Sequence, residues 1–169
     1  MLEKEDLIKE AYRKGVPMGQ DLAPSESKAP SFLIWAMRDK NAAPLQRVQI
    51  IKGWVEQTTG RPFEEVIDVA CSDGLTPDPL TNRCPDNGAL VDISDCSISS
   101  DRGTNEIKTV WTDESFDSAV KSFYYVRVLE NPSCRWSTWD AVKNGTKPRE
   151  DLKQTIQERA WSSPIWYSY

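Results

Sequence analysis

The chain has 169 residues, enough for one domain with a sizeable core, and 38 % of them are hydrophobic. Its net charge of −5 argues against nucleic acids and anionic membranes as partners, and no apolar run approaches the ~20 residues needed to span a bilayer. The sequence has no histidine, which excludes Ser–His and Cys–His nucleophile pairs, histidine-ligated zinc and histidine as a general base.

The chain is predicted to begin with a helix and a linker, residues 1–31, followed by a β domain over residues 32–169. Four apolar residues between positions 7 and 12 fall on one face at helical spacing, which predicts a helix over residues 2–14 that ends at Gly15. Residues 20–31 are polar and contain prolines, which is typical of a linker. The opening MLEKEDLIKE is charged and lacks the apolar core of a signal peptide.

The middle of the chain favours β structure. The main predicted strands are SFLIWAMRD, RVQIIKGW, EEVIDVAC and SFYYVRVLE, and the first two are predicted to be antiparallel neighbours. ALVDIS and EIKTVW are shorter candidates, whereas TDESFDSAVKS is expected to contain one helical turn. STWDAVKNG predicts a short helix with Ser137 as cap and Gly145 as terminator.

The aromatic C-terminus is unusual, because free termini are ordinarily polar. Residues 156–168 therefore predict a last strand, bent at Pro164, that pairs with SFYYVRVLE. Five to seven strands with long loops and little helix predict a mainly β fold, an immunoglobulin-like antiparallel β-sandwich with an N-terminal helix and one or two short helices.

The four cysteines, Cys71, Cys84, Cys96 and Cys134, lie beside turn-forming residues. No two of them form a C-x-x-C pair, which disfavours a four-cysteine zinc site. Two disulfides in an oxidising compartment, periplasmic or extracellular, are predicted; the alternative is four buried thiols in a cytosolic protein.

Several long segments carry a resemblance to a known family. GVPMGQDL, APSFLIWAMRDKNAAPLQRVQIIKGW, DVACSDG, FYYVRVLENPSCRWSTWDA and QERAWSSPIWY occur in this order. With them the chain resembles the C-terminal part of the family catalogued as domain of unknown function 3604. Full members are longer, and their N-terminal part resembles PHP-type metal-dependent phosphoesterases, with histidine and aspartate metal ligands on an α/β barrel. No histidine ligand of that kind exists in this sequence.

The resemblance implies a non-catalytic module, with no catalytic, cofactor or metal site of its own. It would be the C-terminal β-sandwich of a PHP-like metal-dependent hydrolase, present here as a fragment or split gene product. The implied partner is the missing barrel, in cis or as a separate chain. A missing first strand would leave an unpaired edge beside the start of the chain, through which the protein could self-associate.

The disulfide connectivity is one of three possibilities. We expect Cys71–Cys84 within the long loop over residues 72–88, and Cys96–Cys134 between the loop region and the end of SFYYVRVLE.

Charged residues that interrupt apolar segments are candidate contacts with the missing barrel. They are Arg127, Arg135, Glu158 and Arg159. The alternative is an internal ion-pair network, or side chains whose stems snorkel at the rim of the sandwich.

Two further features have a functional and a structural interpretation. The aspartates and asparagines of residues 72–88 suit calcium, but they fit no EF-hand spacing and are ordinary turn residues. The seven tryptophans suit core packing, or a sugar-binding platform if several are exposed. The rival function is therefore a free-standing extracytoplasmic carbohydrate-binding module.

Overall fold

The computed structural model describes residues 7–23 and 28–167 and has a mainly β fold. Within these residues, helix α1 spans Leu7–Lys14 and helix α2 spans Trp136–Lys143. The strands are β1 (Asp21–Leu22), β2 (Ser31–Met37), β3 (Leu45–Val55), β4 (Pro62–Cys71), β5 (Val91–Asp92), β6 (Ser97–Ile98), β7 (Glu106–Thr112), β8 (Ser122–Glu130), β9 (Ser133–Cys134), β10 (Thr155–Ile156), β11 (Arg159–Trp161) and β12 (Ile165–Tyr167). No helix in the described ranges is long and apolar enough to cross a membrane.

The main sheet has the strand order β1-β12-β8-β3-β4, and β11 also pairs with β8. Strand β1 is parallel to β12, and the other pairs are antiparallel. Strands β2 and β7 form a separate two-stranded sheet. Residues from both sheets form the core: Phe32, Ile34, Leu45, Val48, Ile50, Ile107, Tyr124 and Tyr167. The predicted mainly β sandwich is confirmed.

The predicted pairing of SFLIWAMRD with RVQIIKGW is wrong. Strand β2 pairs with β7, whereas β3 lies between β4 and β8. The apolar side chains of β2, among them Phe32 and Ile34, pack against the core face of β3. The two segments therefore face each other across the core, in different layers. Residues 38–44 carry the chain between them.

The aromatic tail docks where it was predicted, but it is not one strand. Both β11 and β12 pair with β8, and the residues between them, including Pro164, are not in a strand. The carbonyl of Pro164 accepts a hydrogen bond from Gly19 N at 2.9 Å, and Trp166 N donates to Gln20 O at 3.1 Å. Residues 21–22, which the sequence assigns to the linker, thus form β1, because their backbone pairs with the edge of β12.

Local differences follow from side chains that bond their own backbone. The predicted helical turn after residue 112 is absent, since Asp113 Oδ1 instead accepts bonds from Ser115 N and Oγ. ALVDIS contains only the two-residue strand β5. Helix α2 begins at Trp136, before the predicted cap Ser137, and ends as predicted before Gly145, whose φ is +64°. Helix α1 matches the predicted helix from Leu7 onwards; residues 2–6 lie outside the described ranges.

Both predicted disulfides are present. Cys71–Cys84 closes the long loop onto β4, and Cys96–Cys134 joins the turn after β5 to β9. Two disulfides indicate an oxidising environment. The domain boundary proposed at residues 31 and 32 stays a prediction, although β1 lies within the segment assigned to the linker.

Candidate functional site

The face of the main sheet opposite the core, the outer face, is the candidate functional site. Side chains alternate between the two faces of a strand, and directly paired residues share a face. Because Val48 and Val128 belong to the core cluster, their neighbours Gln49 and Arg127 lie on the outer face. The register then defines one row across four strands: Trp161, Arg127, Gln49 and Asp68.

A chain of hydrogen bonds runs along this row and fixes the orientation of one guanidinium. Arg127 Nε donates to Gln49 Oε1 at 2.7 Å, and Gln49 Nε2 donates to Asp68 Oδ1 at 2.5 Å. Gln49 and Asp68 are 4 % and 2 % exposed. Within the described part of the chain, the two terminal nitrogens of Arg127 have no bonding partner. Arg127 therefore presents a positioned fork of free donors.

Asp68 is held by the long loop as well as by Gln49. Cys84 N donates to Asp68 Oδ2 at 2.7 Å, so the Cys71–Cys84 disulfide fixes the donor beside β4. Two arginines also lie near this carboxylate: Arg83 Nη1 at 3.5 Å from Oδ1 and Arg47 Nε at 3.8 Å from Oδ2. One buried negative charge is thus surrounded by several positive ones.

The outer face divides into two halves of different character. The aromatic half consists of Phe123, Tyr125 and Trp166; the Phe123 ring centroid lies 5.1 Å from that of Trp166 and 6.3 Å from that of Tyr125. The Phe123 ring also covers Gly53 of β3 so closely that a Cβ there would overlap it. The arginine half consists of Arg47, Arg83, Arg127, Arg159 and Trp161.

The structure brings two of the four predicted barrel-contact residues together. Arg127 and Arg159 both lie on the outer face, beside Trp161 and Leu129 respectively. Glu158, Arg159 and Glu130 line a cleft of about 340 Å³, and the carbonyl of Glu158 accepts a bond from Glu130 N at 3.0 Å. Burial, followed by the nearby Glu158 charge, raises the pKa of Glu130.

Arg135 has a local structural role instead. Its Nε donates to Lys153 O at 3.1 Å, and its backbone N donates to Gln154 O at 2.9 Å. Its carbonyl accepts the first backbone bonds of α2, from Thr138 and Trp139. It therefore joins the start of α2 to the segment before β10. Whether any of the four residues contacts a barrel stays a prediction.

The oxygen-rich loop over residues 72–88 uses its side chains internally. Asp78 accepts bonds from Leu80 N and Thr81 N, and Asp86 from Gly88 N, as in ordinary turns. Among the described residues, no group of three or more His, Cys, Asp or Glu side chains could hold a metal ion. The described contacts of Asp78 and Asp86 are therefore those of ordinary turns.

Asn87 lies at the centre of this loop and is buried. Its amide nitrogen donates to Asp73 Oδ2 at 3.0 Å and to Asn131 Oδ1 at 2.9 Å, while its oxygen accepts from Gln46 at 3.0 Å. Burial opposes ionisation of Asp73, but hydrogen bonds from Ser72, Gly103 and Asn87 outweigh it and lower the pKa of that carboxyl. These contacts fasten the loop to the sandwich.

A second polar network lies on the core face of the main sheet. Lys52 Nζ lies 2.6 Å from Asp113 Oδ2, which also accepts a bond from Tyr124 Oη at 2.7 Å. The side chains of Lys52 and Asp113 are 9 % and 1 % exposed. Burial disfavours the charged Asp113, but bonds from Lys52, Tyr124 and Ser115 outweigh it and lower its pKa. Burial and the Asp113 charge raise the pKa of Tyr124.

This network borders a cleft of about 370 Å³ that is also lined by Trp54 and Glu65. The Lys52 ammonium is saturated, since besides Asp113 it bonds Ser115 O at 3.4 Å and Ser115 Oγ at 3.3 Å. A group whose donors are all used has little capacity to bind a ligand. The network is best explained as structural.

Sequence reasoning missed the residues that organise both networks. Gln49 and Lys52 are polar positions in the apolar segment RVQIIKGW, and Asp68 interrupts EEVIDVAC. Such residues in buried strands need partners, because an unpaired buried polar group is costly. That signal identifies which residues need a partner; only the register shows which partner each one has.

Comparisons with known proteins place the chain in a family. The family model described as "Protein of unknown function (DUF3604)" matches residues 1–169. The chain belongs to the DUF3604 family. Searches of curated proteins and of solved structures gave no match.

Proposed function

We propose that this DUF3604 chain is the non-catalytic β-sandwich module of a PHP-like metal-dependent hydrolase that works in the periplasm or outside the cell. The aromatic half of its outer face packs on a catalytic barrel, and the arginine half lies at the mouth of the barrel's active site. The barrel supplies the histidine and aspartate metal ligands, and the sandwich supports it and closes one side of the mouth.

The observation that carries this proposal is the composition of the outer face. Trp166 is 47 % exposed although it packs against Phe123, so the aromatic half presents an accessible indole ring. Aromatic residues and arginines are enriched in protein interfaces. An aromatic patch beside positioned arginines suits the border between a domain contact and a binding site. The chain has no histidine, so the histidine metal ligands of such a hydrolase would have to come from the barrel.

The experiment is to characterise the native gene product in its source cells. We expect this module to be joined to, or tightly associated with, a chain that carries histidine-rich barrel motifs and hydrolyses phosphoesters with manganese or zinc. In that assembly, Trp166→Asp should weaken the contact, because it places a charge in the aromatic half. Trp136→Asp is the control, since Trp136 is 73 % exposed but lies on α2. A native protein that consists of this module alone, without such a partner, would refute the proposal.

The second candidate is a free-standing carbohydrate-binding module. Trp161 favours it, because its ring is 58 % exposed on the same face as Trp166. The two candidates differ in what the aromatic half contacts in the native protein: a barrel in the first, and solvent or a saccharide in the second.

A further inference from the structure

The arginine half of the outer face has the features of a ligand site that is already organised. Arg127 is oriented through Gln49 by the buried Asp68, and its two terminal nitrogens point to no partner within the described residues. A side chain that is fixed before binding loses less conformational entropy when a ligand binds. A planar guanidinium with free terminal nitrogens suits a carboxylate, sulfate or phosphate group.

The local charge also favours an anion. Arg47 and Arg83 lie 3.8 Å and 3.5 Å from the buried carboxylate of Asp68, although the whole chain has a net charge of −5. Arg127 is linked to that carboxylate through Gln49, and Arg159 lies on the same face beside Leu129. Of the acidic residues nearby, Glu130 and Glu158 line a cleft that Arg159 also lines, so they offset part of the charge of Arg159 alone. Glu64 shares the outer face but pairs with Gly53, in the row of the aromatic half. The arginine half is therefore a positive area on an acidic protein.

Trp161 adds a flat apolar surface to this positive area. It pairs directly with Arg127, so their side chains lie next to each other on the outer face. The residue is 58 % exposed and, among the described residues, its ring stacks on no other aromatic ring. The adjacent guanidinium and free indole face suit a ligand that combines a ring with an acidic group.

The backbone at this position is already satisfied. Val126 N donates to Ser162 Oγ at 2.9 Å, and Ser162 N donates to Val126 O at 2.9 Å. A peptide that added itself as a strand would find no free donors or acceptors at this pair. At this position the groups that remain available to a ligand are the guanidinium and the indole ring.

We infer that the arginine half binds an anionic saccharide, with the indole of Trp161 against a sugar ring and the terminal nitrogens of Arg127 on its carboxylate or sulfate group. Arg159 and Arg47 add long-range attraction. This inference deepens the proposed function and rests on it for biological context, since it names a class of ligand that the module would hold at the mouth of the barrel. The binding itself requires only this chain.

The test is calorimetric titration of the purified chain with defined tetrasaccharides. One probe is a uronate oligomer, one is a sulfated oligomer and one is a neutral oligomer of the same length. We expect one or both charged probes to bind, the neutral probe to bind at least about tenfold more weakly, and salt to weaken the charged interaction. The stronger of the two charged probes identifies the acidic group. An octathymidylate is included as the nucleic-acid probe.

Matched variants locate the site. Arg127→Lys keeps the charge but loses the fork, and Trp161→Ala removes the ring; each should weaken binding about tenfold or more. The controls Arg149→Lys and Trp136→Ala should change affinity less than twofold, because Arg149 pairs with Asp151 and Trp136 lies on α2. Trp161 is exposed, so its variant should keep the melting temperature of the parent chain.

Three results would overturn the inference. They are no binding of either charged probe above the neutral one, equal effects of site and control variants, and tighter binding of the octathymidylate. The outcome is separate from that of the proposed function. Saccharide binding without a barrel in the native assembly would refute only the accessory role, and a barrel without saccharide binding would refute only this inference.

Discussion

Replacing Lys52 by methionine should destabilise the protein strongly at neutral pH. The substitution keeps an unbranched side chain of similar length and removes the positive charge 2.6 Å from Asp113. Loss of one partner from a buried ion pair typically costs about 3–5 kcal/mol. We expect the lower end, about 3 kcal/mol, because Asp113 keeps hydrogen bonds from Tyr124 and Ser115.

The pH dependence separates this mechanism from simple loss of packing. In the parent chain the folded pKa of Asp113 is lowered, so its stabilising contribution is present above the unfolded pKa of about 3.9. That contribution is lost as the pH falls through the lower, folded pKa. Without Lys52, burial should raise the folded pKa of Asp113 instead, so the variant gains relative stability as this carboxyl is protonated. The difference between the two proteins should therefore shrink below about pH 4.

The measurement is urea unfolding, followed by tryptophan fluorescence at pH 7 and at pH 3.5, with both disulfides intact. Lys14→Met is the control, because Lys14 pairs with Glu10 on the exposed surface of α1, where such pairs contribute only about 0.3–0.5 kcal/mol. A Lys52→Met effect below about 1 kcal/mol, or one that does not change with pH, would contradict the argument. A buried charge without its partner must both lower the free energy of unfolding at pH 7 and make that loss smaller at low pH.

The remaining predictions concern packing, the disulfides and activity. Gly53→Ala should cost about 1–3 kcal/mol in urea unfolding because its Cβ would overlap the Phe123 ring, whereas Gly60→Asn, in an open turn, should cost little. Removing the Cys96–Cys134 bond, which spans 38 residues, should lower the free energy of unfolding by about 4 kcal/mol, and removing Cys71–Cys84, which spans 13, by about 3 kcal/mol. Peptide mapping that finds free thiols in protein from an oxidising compartment would refute both linkages. The purified chain should not hydrolyse phosphomonoesters or diesters with manganese or zinc, and metal-dependent turnover that is lost on mutating one of its carboxylates would contradict the accessory role.

The sequence predicted the strands better than their partners. RVQIIKGW, EEVIDVAC and SFYYVRVLE are strands because their apolar and β-branched residues suit a buried sheet. The sequence could not predict that SFLIWAMRD lies in the other layer. Its partner EIKTVW is some seventy residues away, and periodicity carries no information about such contacts.

The candidate site shows the same limit. The sequence singles out Arg127 and Arg159 because each is a charge within an apolar segment. That Arg127 bonds Gln49, and that Gln49 bonds Asp68, depends on the register of β8, β3 and β4. The register of β3 and β4 in turn depends on a bulge in β4, where Val69 is the extra residue between the partners of Val48 and Gln49, and no local pattern reveals it.

The last prediction is that the chain self-associates through β2. Within the described residues, β2, β4 and β7 are the long strands that pair on one side only. Strand β4 carries Glu64, Glu65 and Asp68, and β7 carries Glu106 and Lys108, whereas β2 has no charged residue. Charges protect an edge from pairing with a second chain, so β2 is the least protected of the three.

Trp35 offers a direct test, because its side chain is 49 % exposed on β2. We expect sedimentation velocity to show a mass that rises with concentration for the parent chain. Trp35→Lys should remove this dependence, since it places a charge on an edge strand that has none. Trp136→Lys should not, because Trp136 is exposed on α2 and belongs to no strand. If the parent chain is monomeric at every concentration, or if both variants behave alike, β2 is protected by something other than charge and the edge argument fails.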